Sequence, residues 1–106
     1  MGMDINKLMQ QAQQMQEQLA QAQEEAATQI VEASAGGGMV TVKATGDGRI
    51  TEIKIKPEAV DPDDVEVLED MVLAAVNEAM RSAESLMQSK LGGLAGGLGG
   101  LGLPGF

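Results

Sequence analysis

Apolar residues recur at alternating intervals of three and four positions along the first part of the chain. This stripe predicts a helix over about residues 5–27, with Asp4 as its N-cap. Its members are Ile5, Leu8, Ala12, Met15, Leu19, Ala22 and Ala26. Such a helix is roughly 35 Å long, which is longer than a small sheet is wide. We therefore expect part of it to project beyond the sheet, or to pair with a partner helix through the stripe.

The period of the pattern changes after this helix, where β-branched residues replace the heptad. Three strands are predicted, over about residues 28–34, 39–45 and 50–56. A hairpin turn at Gly46-Asp47-Gly48 joins the last two strands. The pattern indicates an antiparallel β-meander that follows the first helix.

Alternation along the second and third predicted strands separates an apolar face from a mixed face. The apolar face, which we expect the helices to cover, includes Val40, Val42, Ile53 and Ile55. The mixed face carries three lysines, Lys43, Lys54 and Lys56. These lysines either protect the sheet edge and favour solubility, or form a contact surface for a partner chain or a polyanion.

A second helix is predicted over about residues 62–91, with Asp61 as a cap and Pro62 at its first position. Its broad apolar face makes it the main core element. The residues expected to form the core or a dimer contact are Leu8, Met15, Leu19, Val40, Val42, Ile53, Ile55, Leu68, Val72 and Val76. Residues 92–106 contain eight glycines, so we expect a flexible tail rich in Gly and Leu.

The predicted fold class is α+β: a helix, a three-stranded antiparallel β-meander and a second helix, in one domain of residues 1–91. The 106-residue chain has one aromatic residue, Phe106, so its interior must consist of aliphatic side chains and methionine. A core this thin favours the burial of more apolar surface by oligomerisation. We therefore expect a homodimer.

The composition disfavours several kinds of chemistry. Cysteine and histidine are both absent, which removes disulfides, thiolate metal sites and the imidazole group. Paired carboxylates occur, but with no nucleophile constellation beside them. We therefore expect no enzymatic activity, no metal, no cofactor and no small-molecule substrate. The sequence also has no membrane-span pattern and no signal segment, so we expect a cytoplasmic protein without a membrane partner.

Two motifs resemble ligand sites. Gly36-Gly37-Gly38 could cradle a phosphate, but it leads into a strand and lacks a following Lys-Ser/Thr, so we interpret it as a turn. Three aspartates between residues 61 and 64 could suggest calcium. They lack the spacing, central glycine and closing glutamate of a calcium loop, so we interpret them as a helix start.

The formal net charge of −9 by itself disfavours nucleic acid as a partner. The charge is unevenly distributed, however. Residues 1–27 carry one base and four acids (−3), residues 28–57 four bases and three acids (+1), and residues 58–106 two bases and nine acids (−7). Only the predicted sheet region is therefore not acidic.

Five segments carry a resemblance to a known family. They are LMQQAQQMQ at Leu8–Gln16, AGGGMVTV at Ala35–Val42, IKIKPEAV at Ile53–Val60, DPDDVEVLEDMVLAAVNEA at Asp61–Ala79 and LPGF at Leu103–Phe106. In this order they resemble the YbaB/EbfC family of bacterial nucleoid-associated proteins over nearly the whole chain. The resemblance implies an intertwined homodimer with central sheets and protruding helices. It also implies binding of double-stranded DNA at the nucleoid, with little sequence preference, through phosphate contacts.

The resemblance also suggests which residues contact DNA. On the helices these are Lys7, Arg81 and Lys90, and in the sheet region Lys43, Arg49, Lys54 and Lys56. Neutral residues stand where many relatives carry Lys or Arg, namely at Gln10, Gln18, Gln21, Ser82 and Gln88. We therefore expect weaker DNA binding than is usual for the family, or dependence on the sheet cations.

An alternative function belongs to a different class. A heptad face, an acidic surface and eight methionines would also suit a protein-protein interaction or chaperone-like module that uses its protruding helices.

Overall fold

The computed structural model describes residues 4–99, with side chains described up to Gly93. Two helices flank a three-stranded sheet, and a short 3₁₀ turn at Pro57–Ala59 precedes the second helix. The elements are α1 (Ile5–Thr28), β1 (Ile30–Ala35), β2 (Val40–Thr45), β3 (Ile50–Ile55) and α2 (Val65–Gly99). The predicted α+β fold of helix, antiparallel β-meander and helix is confirmed.

The sheet has the order β1-β2-β3, with both pairs antiparallel. Ala33, Val42 and Ile53 lie side by side across the three strands, so their side chains share one face. The glycine triplet connects β1 to β2, as predicted. All three glycines have positive φ, from 64° at Gly36 to 91° at Gly38, a region that other residues rarely adopt.

The core lies between α2 and one face of β1 and β2. Ala75 and Ala79 of α2 are fully buried against Val40, Val42 and Ala44 of β2. The same face of β3 is less well covered, because α2 lies over the other two strands. Ile53 and Ile55 are consequently exposed. The prediction that helices cover the apolar face is therefore correct for β2 and wrong for β3 within this chain.

Helix α1 packs mainly on the second half of α2, and the two helices are antiparallel. Ala26 of α1 is buried where Gly46 and Leu86 approach each other, and a Cβ at Gly46 would collide with the Ala26 carbonyl. Further along, Lys90 lies 3.9 Å from Glu25. The earlier residues of α1 are exposed, so this part of the helix projects beyond the sheet, one of the two alternatives predicted.

The bounds of α2 differ from those predicted. The helix begins at Val65 because Asp61 forms a turn, in which its carboxylate accepts a hydrogen bond from the Asp63 amide (3.0 Å). It ends at Gly99, so residues 92–99 of the predicted flexible tail are helical. Extension of an existing helix adds one hydrogen bond per residue, so the glycines of this segment lower the stability of the helix without ending it. Pro104 lies further along the chain. Residues 100–106 of the predicted tail lie outside the described residues.

Candidate nucleic-acid interface

Three lysines lie on the mixed face of the sheet, which is turned away from α2. Lys43 pairs in register with Glu32 on β1 and Glu52 on β3, and its Nζ lies 3.5 Å from Glu52 Oε2. Lys54 lies opposite Thr41, and Lys56 follows two residues later, directly after the end of β3. Both are exposed, and within residues 4–99 neither makes an ion pair. This end of the face therefore carries uncompensated positive charge.

Arg49 follows the turn between β2 and β3. Its Nε lies 3.3 Å from Asp47 Oδ2, and Asp47 also accepts a hydrogen bond from the Thr45 hydroxyl. The Thr45 hydrogen bond, followed by the charge of Arg49, lowers the pKa of the Asp47 carboxyl below its usual value. Asp47 therefore stays ionised and compensates the guanidinium charge.

The helical cations are far apart. Arg81 contacts Glu78 one turn earlier at 2.8 Å, and Lys90 faces Glu25 across the two helices. Lys7 lies in the first two turns of α1, exposed and without an ion pair among the described residues. Along α1, Lys7 is roughly 27 Å from Glu25. The structure therefore does not bring Lys7, Arg81 and Lys90 together in one patch.

Pairing divides the seven cations into two sets. Lys43, Arg49, Arg81 and Lys90 each have a carboxylate partner. Exposed ion pairs contribute about 0–1 kcal/mol, so these cations can exchange partners, but a nearby carboxylate would still repel a phosphate. Among the described residues, Lys7, Lys54 and Lys56 are the cations without such a carboxylate. Local sequence patterns do not reveal this division, because Lys43–Glu52 is paired across strands and Lys90–Glu25 across helices.

An apolar groove lies between α2 and β3, where the sheet is left uncovered. It has a volume of about 430 Å³ and is lined by Ile55, Leu68, Glu69, Val72, Leu73 and Val76. Leu73 is 60% exposed, although it is a large aliphatic side chain. Leu73 was not among the residues predicted from the apolar face of α2, which included Val72 and Val76. The two adjacent apolar residues Val72 and Leu73 indicated that the apolar face of α2 is wider than predicted.

The predicted core and dimer residues fall into three groups. Val40 and Val42 are fully buried, and Leu68, Val72 and Val76 are half-buried against the core. The remaining residues are exposed, on β3 at Ile53 and Ile55 and on α1 at Leu8, Met15 and Leu19. The exposed members therefore define two separate uncovered apolar surfaces, one beside the sheet and one on the projecting helix.

A larger, open groove of about 1040 Å³ runs along α2 toward the turn after β2. Its charged lining residues are Asp47, Glu78, Arg81 and Glu84. Two of these carboxylates, Asp47 and Glu78, are already paired with arginines. In the described part of the chain, no three acidic side chains come together in a group that could hold a metal ion. None of the described helices is long and apolar enough to span a membrane.

Comparison with known proteins gives a consistent result. Residues 1–98 match the profile of the YbaB/EbfC DNA-binding family. A protein of Acetivibrio thermocellus named nucleoid-associated protein is 56% identical over 94% of this chain and 88% of its own length. A protein of Streptomyces avermitilis with the same name is 53% identical over 97% of this chain and 91% of its own length.

A solved structure supports the fold. The crystal structure of an uncharacterized protein from Helicobacter pylori superimposes with a TM-score of 0.74, covering 89% of this chain and 99% of that one. Its sequence identity is 22%, so this likeness concerns the fold alone. The family profile and the relatives reach nearly the full chain and agree with the segments quoted above. This chain therefore belongs to the YbaB/EbfC DNA-binding family.

Proposed function

We propose that this protein is a nucleoid-associated homodimer that binds double-stranded DNA with little sequence preference, through contacts to phosphates. The observation that carries the proposal is the family match over residues 1–98. The family is a DNA-binding family and not an enzyme family, and the relatives named above are called nucleoid-associated proteins. The proposed location is accordingly the nucleoid, within the cytoplasm.

The arrangement of the cations favours phosphate contacts. Lys54 on β3 and Lys56, one residue beyond the end of β3, present two exposed ammonium groups in the segment of the chain with a net positive charge. An ammonium group on a flexible stem binds phosphate as a point charge, and phosphate contacts carry no base sequence information. Little sequence preference is therefore expected, together with a steep dependence of affinity on salt.

The apolar groove supports the homodimer. In one chain it leaves Ile55 and Leu73 in contact with water. Burial of such a side chain is worth about 1.5–3 kcal/mol, so a second copy that covers the groove would gain substantial free energy. A dimer also presents each lysine twice, which compensates in part for the small number of cations.

The direct test is fluorescence anisotropy of a labelled DNA duplex, titrated with the purified protein at low and near-physiological salt. We expect binding that weakens as salt increases, and similar affinities for duplexes of unrelated sequence. Absence of binding even at low salt would overturn the proposal.

Two variants that remove the same charge from different surfaces identify the surface that binds DNA. The double variant Lys54→Gln/Lys56→Gln removes unpaired cations, whereas Lys43→Gln/Arg49→Gln removes the same charge from residues paired with carboxylates. We expect the first variant to lower affinity by at least about tenfold and to reduce the salt slope by about one per lost contact. Equal effects of the two variants would show that net charge alone determines binding. A third variant, Lys7→Gln/Arg81→Gln/Lys90→Gln, measures the contribution of the helices.

A second candidate function is a protein-protein interaction or chaperone-like module. It is favoured by the exposed apolar residues of α1 and by the acidic partners of four of the seven cations. Absence of DNA binding, with defined proteins recovered by pull-down from nuclease-treated lysate, would support this candidate.

A further inference from the structure

The mixed face of the sheet changes in charge along the strands. One row across the three strands consists of Glu32, Lys43 and Glu52, which are one base and two acids, a net charge of −1. The carboxylates of this row repel a phosphate. The next row, about 7 Å closer to the turn formed by residues 36–38 (the glycine turn), contains no carboxylate. A polyanion that contacts the mixed face is therefore favoured at the end beside the glycine turn.

This next row, which we call the hydroxyl row, consists of Ser34, Thr41 and Lys54. They lie directly opposite one another on adjacent strands, with Cβ atoms about 5 Å apart. Ala33 and Val40 precede two of them and are buried in the core, so the row faces away from α2. Within residues 4–99, the hydroxyls of Ser34 and Thr41 make no hydrogen bond to the protein. Two hydroxyl donors therefore lie in line with the ammonium group of Lys54.

The glycine turn and Lys56 lie at this same end of the sheet. The Lys56 amide donates to the carbonyl of Met39, the residue that follows the turn, at 2.9 Å. The amides of Gly37 and Gly38 donate to no backbone carbonyl among the described residues, and a Cβ at either position would meet no atom within 4 Å. Glu58, the next carboxylate along the chain, makes no ion pair with Lys56 in the described structure. The turn therefore offers two further N–H donors with open space beside them.

These groups are suited to contact with the DNA backbone. Proteins contact phosphate oxygens through cationic side chains, through hydroxyls and through backbone N–H groups, and these contacts position a duplex without reading its bases. An ammonium group attracts phosphate as a point charge, whereas a hydroxyl donates one directed hydrogen bond. Lys54 and Lys56 are about 7 Å apart along the chain, so each can contact a different phosphate.

We propose that one strand of a DNA duplex crosses the sheet at the hydroxyl row, where Ser34 and Thr41 donate hydrogen bonds to phosphate oxygens beside Lys54. Lys56 and the amides of the glycine turn contact the neighbouring phosphate. The two hydroxyls fix the position of the duplex on the protein, while the lysines supply most of the attraction. This inference rests on the proposed function, because it specifies where the bound DNA lies.

Removal of the two hydroxyls at unchanged charge tests this inference. Ser34→Ala/Thr41→Val deletes both donors of the hydroxyl row. Ser85→Ala/Thr51→Val is the matched control, because Ser85 is exposed on α2 and the Thr51 hydroxyl already donates to the Lys43 carbonyl at 3.3 Å. In fluorescence anisotropy with a labelled duplex, we expect the first variant to bind about tenfold more weakly and the control within about twofold of the unaltered protein.

The salt dependence adds a readout that a loss of charge would change. Neither double variant removes a cation, so both should keep the salt slope of the unaltered protein. A tenfold loss with a reduced slope would show that the lysine contacts had changed instead of the hydroxyl contacts, and would contradict the inference. Equal affinities of Ser34→Ala/Thr41→Val and its control would also overturn it. Circular dichroism checks that both variants are folded.

An NMR titration of the unaltered protein with the duplex locates the contact independently of any variant. We expect the amide signals of Gly37, Gly38 and Thr41 to shift with the amount of bound DNA, and those of Glu32 and Glu52 to shift less. Binding with shifts confined to α1 and α2 would place the duplex on the helices, which overturns the inference and leaves the proposed function intact. Absence of duplex binding even at low salt would overturn both.

Discussion

The turn after β2 is organised by one side chain, that of Thr45. Thr45 is buried, and its backbone amide donates to the Arg49 carbonyl at 2.8 Å while its carbonyl accepts from the Gly48 amide at 2.9 Å. Its hydroxyl donates to the Asp47 carboxylate and accepts from the Arg49 amide (3.2 Å). A single hydroxyl thus connects the backbone of the turn to an ion pair at its surface.

The effect of this hydroxyl on Asp47 is testable. We expect Thr45→Val to raise the pKa of Asp47 toward its ordinary value, because the hydrogen bond that stabilises the carboxylate is lost. Thr45→Ser keeps the hydroxyl and should keep the pKa low. The measurement is an NMR titration of the Asp47 carboxyl carbon. An unchanged pKa in Thr45→Val would assign the shift to Arg49 instead.

The lowered pKa also determines the sign of a pH effect on stability. The folded protein holds the Asp47 proton less tightly than the unfolded chain does. The resulting stabilisation is present above the unfolded pKa of about 3.9, and is lost as pH falls through the lower folded value. Thr45→Val should therefore flatten this part of the acid limb of the unfolding curve.

At the scale of elements, α2 lies on the sheet through a row of small residues. Ala75 and Ala79 lie four positions apart, are fully buried and belong to the same core cluster as Val40 and Val42. Their small size lets the helix backbone approach the sheet, where Val40 and Val42 fill the remaining space. The contact is therefore sensitive to volume more than to hydrophobicity.

A volume change at this contact should be costly. We expect Ala79→Leu to lower the free energy of unfolding by about 1–3 kcal/mol, because the larger side chain pushes α2 away from β2. Ala74→Leu is a matched control on the exposed side of the same helix, and it should change the free energy of unfolding by less than about 0.5 kcal/mol. Urea unfolding at one fixed protein concentration measures both. Equal midpoints for the two variants would contradict this description of the core.

At the scale of the whole molecule, the sheet is asymmetric. One helix covers β1 and β2, while β3 remains at an edge with its isoleucines exposed. An exposed apolar edge strand promotes association with another chain. The proposed homodimer uses this asymmetry, because the groove beside β3 is where a second copy would bury the most apolar surface.

Disruption of the groove should dissociate the proposed dimer. We expect Leu73→Glu to weaken self-association by at least about tenfold, because a buried, unpaired carboxylate costs several kcal/mol. Val67→Glu introduces the same charge at an exposed position of α2 outside the groove lining and should have little effect. Sedimentation equilibrium over a range of concentrations measures both. Dimers of equal strength in the two variants would place the interface elsewhere.

Much of the architecture was predictable from local patterns. The heptad stripe predicted α1 and the cap at Asp4, whose carboxylate accepts from the Asn6 amide at 3.1 Å. Alternation predicted the strands and the opposite faces of Val42 and Lys43. These features depend on residues close together in sequence, whose spacing matches the period of a helix or a strand. Family membership was also determined at this level, because the quoted segments occur in order along one chain.

Only the tertiary structure decided which of these residues face each other. It paired Lys90 with Glu25 and Lys43 with Glu52, and so left Lys54 and Lys56 as the unpaired lysines of the sheet within the described part of the chain. It also left β3 partly uncovered and brought Lys90 and Gly93 of α2 alongside α1. These outcomes depend on how a helix lies across a sheet, which joins residues distant in sequence. Local periodicity specifies the face that a side chain occupies, but not the element that covers that face.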